Sequence, residues 1–257
     1  MMPVTQKTTV SIVIPARNEE GHIERIFQEM PHFSEQMELI FVEGNSTDNT
    51  WKELQQCARL HAEKWPNVTL LQQKGHGKAD AVWEGIAHAT GDIIFILDAD
   101  LTIPPASLPK FYTPFTDGSA TFTFGSRLVY PMEKGAMRFW NLIANKIFAF
   151  LWCPFFHRKI TDSLCGTKVF LRKDYERTRK EHPRIFAADP FGDFALFFIA
   201  PNCHCLVKEI PIHYRARQYG VTNIARWKGG VQLLWVYFLC LLALLKAEKC
   251  SNKQPTP

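Results

Sequence analysis

Two aspartates, Asp98 and Asp100, stand one residue apart at the end of an apolar run, Ile94-Phe95-Ile96-Leu97, and a Pro104-Pro105 pair follows closely. Like charges that near destabilise each other unless a cation lies between them. Hard carboxylate oxygens in this pattern suit Mg²⁺ or Mn²⁺, which keep waters and bridge to substrate phosphates. Such an ion would also neutralise a departing diphosphate. The plainer reading is a solvated Asp turn ahead of a proline-containing loop. A second polar cluster, Lys74-Gly75-His76-Gly77-Lys78, lacks the gap and the Ser/Thr of a Walker A loop. A helix starting near Lys78 would still offer backbone N–H groups and a positive dipole end to an anion. A simple glycine turn is the alternative.

The elements that must position these residues alternate along the first 100 positions. Val10–Ile14 reads as a strand stopped by Pro15, and Asn18 as the cap of a helix through Ile23, Ile26, Phe27 and Met30. Leu39–Val42 and Val68–Leu71 are further buried strands, separated by a helix through Trp51, Leu54, Cys57 and Ala58. A third helix, about Lys78 to Ala89, leads into the strand Ile93–Leu97. This alternation predicts an α/β fold, a mostly parallel sheet with helices on both faces. Ligands of such sheets bind at the carboxyl ends of the strands. Pro15–Glu19, Glu43–Asp48, Lys74–Asp80 and Asp98–Asp100 all fall at that edge. The second half is less regular. Ala120–Gly125 reads as a strand, residues 134–157 as an aromatic helix with basic ends, and 231–245 as an almost wholly apolar helix ending at Lys246.

Composition sets limits. The chain has 257 residues, 46% of them hydrophobic and 21% charged, as in a folded globular protein. The seven cysteines show no framework spacing and fit a reducing compartment. Cys203-His204-Cys205 has no second pair at zinc-finger spacing. The N-terminal MMPVTQKTTV lacks the apolar stretch of a secretory leader. The formal charge is +5, and Phe194–Ala247 carries that excess through Lys208, Arg215, Arg217, Arg226, Lys228 and Lys246 against Glu209 alone. An anionic partner is expected: phospholipid or a phosphorylated substrate. Nucleic acid is not expected, because no recognised reading motif is present.

Three motifs in order, Val13-Ile14-Pro15-Ala16-Arg17-Asn18-Glu19-Glu20, Val42-Glu43-Gly44-Asn45-Ser46-Thr47-Asp48-Asn49-Thr50 and Asp98-Ala99-Asp100, resemble the family 2 glycosyltransferases of GT-A fold. Within them the chain is most similar to the polyprenyl-phosphate and dolichyl-phosphate sugar transferases. Gly125-Ser126-Arg127 and Asp162–Lys168 match later motifs of that group, so the resemblance spans roughly residues 10–230. It implies a nucleotide-sugar donor bound by Pro15, Arg17, Glu19, Glu43, Lys78, Asp80 and Asp98. It also implies a Mg²⁺ or Mn²⁺ on Asp98 and Asp100, with Asp100 close to the reaction. The second loop departs from the usual Asp-Asp-Gly-Ser, so UDP and GDP both stay open.

The acceptor decides what else the site needs. Transfer to a hydroxyl wants a carboxylate base, and the resemblance points to Asp193. A phosphate monoester, with a second pKa of about 6, is largely dianionic at neutral pH and needs positioning by cations instead. Arg127, Lys168, Arg215 and Arg217 are the candidates for holding it, with Arg127 expected to be catalytically essential. A polyprenyl-phosphate acceptor, an inverting reaction and the cytoplasmic membrane face are therefore expected. Residues 1–230 would form the catalytic domain and 231–257 a membrane-associating helix and tail. The apolar run 231–245 is short of the roughly 20 residues of a transmembrane helix and suits the bilayer interface. Packing of that run on protein is the alternative. A hydroxyl acceptor, a nucleotidyl transfer and an inactive nucleotide-binding scaffold are the competing readings of function.

Overall fold

The computed structural model describes residues 8–133, 137, 139–215 and 226–251. Its first half is β1 (Val10–Ala16), α1 (Ile23–Glu29), β2 (Met37–Glu43), α2 (Thr50–Leu60), β3 (Val68–Gln72), α3 (Lys78–His88) and β4 (Ile93–Ile96). Then follow α4 (Pro109–Thr116), β5 (Phe122–Ser126), α5 (Phe139–Phe156), β6 (Lys168–Leu171), α6 (Arg172–Glu181), α7 (Pro183–Ala188), α8 (Asp193–Asn202), β7 (Val207–Pro211) and α9 (Arg226–Ser251). The seven strands form one sheet in the order β3-β2-β1-β4-β6-β5-β7.

Side chains alternate across this sheet, as strand geometry requires. Ile93 and Phe95 join a core with α1, α2 and α4, whereas Ile94 and Ile96 join one with α3 and α5 to α9. Close packing is built into the sequence at Gly85. A Cβ there would come within 2.4 Å of the Val13 side chain, so only glycine lets α3 lie this near β1.

Pro15 does not stop β1, which runs on to Ala16 in register with β2. Val13 turns its carbonyl toward β4, accepting from Leu97 N, and Pro15 shares that orientation two residues on. The β4 register ends at Val13, so the proline's missing N–H costs no ladder bond. Asn18 caps no helix. Its φ of 55° is one that Asn tolerates, and its Oδ1 accepts from Thr47 N at 2.8 Å, tying the first loop to the second.

The sheet is parallel except for β6, which is antiparallel to both β4 and β5. The chain leaves β5 at the site edge, makes the α5 excursion and re-enters at that same edge, where Lys168 pairs with Ile96. It therefore has to run backwards. The apolar helix is also longer than its apolar run: α9 has 26 residues, and Leu233, Val236 and Cys240 are buried in the core shared with α8.

Candidate active site

The carboxyl edge of β1, β2 and β3 carries three polar loops, the first tied to the second through Asn18 and Thr47 and the second to the third through Asn45 and Gln73 O. Glu43, closing β2, is buried and accepts from Ser46 N within its own loop. Glu19 is buried too, with its carboxylate 2.9 Å from His22 Nδ1 and its N–H donating to Thr50 Oγ1. Pro15 is half-buried below them, and Arg17 is exposed beside Gly44. Asp80 accepts from Gly75 N at 3.1 Å and so fastens the Lys74–Gly77 turn to the start of α3.

Asp98 and Asp100 follow β4 and differ in their surroundings. Lys78 at the start of α3 reaches Asp98 Oδ1 at 2.7 Å. Burial alone would raise the Asp98 pKa, but the charge of Lys78, helped by Lys168 and Arg127, holds it below the usual carboxylate range. Burial likewise opposes the charge on Lys78, while Asp98, Asp193 and Asp100 together push its pKa up. Asp100 Oδ1 accepts from Thr102 N at 3.1 Å and Thr102 Oγ1 at 2.7 Å, a side-chain turn that fixes the carboxylate. Between them and Thr102 lies Leu101 at φ 55°, a left-handed conformation uncommon for a bulky residue and typical of functional loops. Among the described residues no group of three or more His, Cys, Asp or Glu is arranged to hold a metal. Two carboxylates fit Mg²⁺ or Mn²⁺, whose remaining ligands commonly come from phosphate and water.

The opposite wall is made of cations that already have anions. Lys168 is fully buried on β6, and its Nζ donates to Cys165 O at 2.6 Å and to Asp193 Oδ1 at 2.7 Å. Asp193 opens α8, whose first turn is capped by Asp189 through Phe194 N and Ala195 N. Arg127, just past β5, forks onto buried Asp162 through Nε (2.6 Å) and Nη2 (2.9 Å). Burial disfavours both charges, yet each partner keeps the other ionised: Arg127 is pushed up and Asp162 down. The Arg127 guanidinium also lies over the Tyr214 ring at 5.2 Å. Arg215 donates its backbone N–H to Thr102 O, so its segment runs beside the Asp100 loop. Its half-exposed guanidinium is 3.7 Å from Glu29. Arg217 lies outside the described residues.

The fold thus gathers Lys78, Asp98, Asp100, Lys168, Asp193 and Arg127 around one edge. Glu19, Glu43 and Asp80 hold the loops around it. Sequence reasoning assigned nothing to Asp162, Gly166, Asn145 or Tyr214. Asp162 and Gly166 stood in a motif already singled out, and Asn145 was signalled only as a polar residue in an aromatic helix. A Cβ on Gly166 would come within 2.0 Å of Asp98 Oδ2, so the loop before β6 backs directly onto the first aspartate.

An α/β sheet with an acidic pair and buried cations at its carboxyl edge makes a site suited to anions. Residues 11–179 match the family Glycosyl transferase family 2, and the chain belongs to it. It is 32% identical to the Dolichol-phosphate mannosyltransferase of Pyrococcus furiosus, over 93% of this chain and 64% of that protein. It is also 32% identical to the Undecaprenyl-phosphate 4-deoxy-4-formamido-L-arabinose transferase of Proteus mirabilis, over 42% of this chain and 34% of that one. The chain thus spans less than two thirds of the length of either relative. Among solved structures it resembles glucosyl-3-phosphoglycerate synthase from Mycobacterium tuberculosis in complex with Mg²⁺ and UDP. The TM-score is 0.65 and the identity 18%, over 91% of this chain and 79% of that one. That likeness establishes the GT-A fold.

Proposed function

We propose that the chain is an inverting glycosyltransferase that moves a sugar from a UDP- or GDP-linked donor to a polyprenyl phosphate at the cytoplasmic face of a membrane. Pro15, Arg17, Glu19 and Glu43 frame the nucleoside, with Lys78 and Asp98 near its diphosphate and Asp80 holding their loop. Asp98 and Asp100 hold Mg²⁺ or Mn²⁺. When bound, that ion neutralises charge on the leaving diphosphate. An acceptor phosphate oxygen forms the new bond to the anomeric carbon while the bond to the nucleoside diphosphate breaks on the opposite face.

The observation that carries the phosphate acceptor is the state of Asp193. Its carboxylate lies 2.7 Å from the buried Lys168 ammonium, so an oxygen that would meet an acceptor hydroxyl is already engaged as a counter-ion. A dianionic phosphate needs no base; it needs cations, and Arg127 and Lys168 lie on that wall, with Arg215 toward the rim. The two relatives named for dolichol phosphate and undecaprenyl phosphate support the same reading. So do α5 and α9. Only 22% of the 18-residue apolar stretch in each is buried, unlike the core helix of a soluble protein. Half-packed on the domain and apolar outside, they suit the bilayer interface.

Calorimetric titration of UDP and GDP with and without Mn²⁺ should give metal-dependent binding of one of them. The matching nucleotide sugar, incubated with a polyprenyl phosphate, should then yield an acid-labile glycosyl phosphodiester. Failure of both nucleotides to bind would favour an inactive scaffold. An acid-stable glycoside would favour a hydroxyl acceptor with Asp193 as base, and released pyrophosphate a nucleotidyl transfer.

A further inference from the structure

Helix α5 carries one wholly buried polar side chain among Phe148, Ala149 and Trp152: Asn145, 1% exposed. Its amide is used on both sides. Nδ2 donates to Asp162 Oδ1 at 2.7 Å, and Oδ1 accepts from Ser163 N at 3.2 Å. Asp162 is the carboxylate that grips Arg127, so a residue on an outer helix touches the counter-ion of the acceptor wall.

Asp162 has two separate anchors. Its backbone belongs to the sheet side, because Glu209 of β7 accepts from Asp162 N at 3.1 Å and from Thr161 N at 3.0 Å. Its carboxylate is oriented locally. Oδ2 receives Arg127 Nε and Arg127 N, whereas Oδ1 receives Arg127 Nη2, Leu164 N and Asn145 Nδ2. A fork of carboxylate on guanidinium is planar, so rotation of the carboxylate turns the guanidinium with it. Asn145 is the side chain from outside the motif that resists this rotation. Removing it leaves the backbone anchor intact.

We infer that Asn145 is a positioning residue for the acceptor: by fixing the Asp162 carboxylate it sets the plane of the Arg127 guanidinium, and so makes α5 part of the acceptor site. This rests on the reading that Arg127 receives the acceptor phosphate. Asn145 touches no reacting atom, and its effect passes through Arg127. A role in packing alone would lower thermal stability and leave acceptor affinity in place.

The test uses the full chain and four variants: Asn145→Leu, of similar size and unable to hydrogen-bond; Asn145→Ser, a milder change with room for a bridging water; Arg127→Lys; and Asn145→Leu with Arg127→Lys. For each, the KM for polyprenyl phosphate, kcat, Mn²⁺-dependent nucleotide affinity and Tm are measured. Asn145→Leu should raise the acceptor KM about tenfold, the scale of one hydrogen bond to a charged group, with nucleotide affinity unchanged. Asn145→Ser should shift it less, in the same direction, and carries the test if the leucine variant does not fold. The double variant should be no worse than Arg127→Lys, because both changes act on one group. If Arg127→Lys raises KM and neither Asn145 variant does, the inference fails alone. It also fails if the two effects multiply, or if nucleotide affinity falls with KM. If Arg127→Lys leaves KM unchanged, the acceptor reading fails and takes the inference with it.

Discussion

The two sides of the site hold their charges in opposite ways. On the β1–β4 side, carboxylates are held by bonds within their own loops, Glu43 to Ser46 and Asp100 to Thr102, and the first two loops are tied by Asn18 and Thr47. On the β5–β7 side, cations are sunk into the fold with anions already attached: Lys168 on Asp193 and Arg127 on Asp162. Buried ion pairs are weak contributors to stability, since desolvation offsets much of the attraction. Their presence here is better explained by geometry. Under the proposed function the first side would receive a polar ligand and a divalent ion, and the second would present positive charge at fixed angles. Asp98 is where the two meet, gripped by Lys78 from one side and backed by Gly166 from the other.

That meeting point gives the largest expected effect. In Gly166→Ala the new methyl would overlap the Asp98 carboxylate, whose short side chain has to rotate away from Lys78. Misplacing a catalytic group by about 1 Å can cost about 100-fold, and a loss of that size in kcat/KM is expected. Metal-dependent nucleotide binding should weaken with it, while Tm stays near wild type. Normal activity in a folded Gly166→Ala protein would separate the two sides and remove Asp98 from the site.

Asp193→Asn should cost less, and its size sharpens the contrast. Removing a general base typically costs ~10²–10⁴ in rate. If Asp193 is instead the counter-ion of Lys168, Asn keeps the shape, and the acceptor wall gains net positive charge. Steady-state rates on a polyprenyl phosphate should then fall less than about tenfold, well below that range. Arg127→Ala, in the same assay, should remove most of the activity. A dead Asp193→Asn with a healthy Arg127→Ala would reverse these roles.

Legibility in the sequence divides along the same line. The β1–β4 side follows from residue patterns, because parallel βα units give each strand a buried apolar run and each loop a polar cluster. The other side breaks those rules. The strand β6 is four residues long and begins with Lys168, a residue no periodicity would send to a core. Helix α8 is buried from Phe194 to Ala200, so it has no polar face to reveal its period. Asn145 became visible only once α5 and the Asp162 loop were adjacent. Most residues of the motifs come together at one edge of the fold, but which cation pairs with which anion is a tertiary fact.

The smallest expected effect on chemistry concerns the outer faces of α5 and α9. Exposed Val231, Trp235, Phe238, Leu242 and Leu245 recur at spacings of three and four, opposite the buried Leu233, Val236 and Cys240. On α5 the exposed Phe139, Trp140, Ile147 and Phe150 make a similar stripe. The helices are joined where Tyr237 donates its hydroxyl hydrogen to Leu151 O at 3.0 Å. Each therefore has a protein side and an unpartnered apolar side. One face packed on the domain and one apolar face turned outward suit a helix lying in the bilayer interface. Trp235→Glu with Phe238→Glu puts two charges on the outer stripe and leaves the packed face untouched. In flotation with anionic liposomes the variant should remain largely unbound while wild type floats. Its kcat on a short-chain, water-soluble polyprenyl phosphate should stay within about threefold, because both side chains are exposed on the outer face of α9. Equal flotation of the two proteins would leave α9 as a packing element, and the membrane contact would then rest on α5 alone.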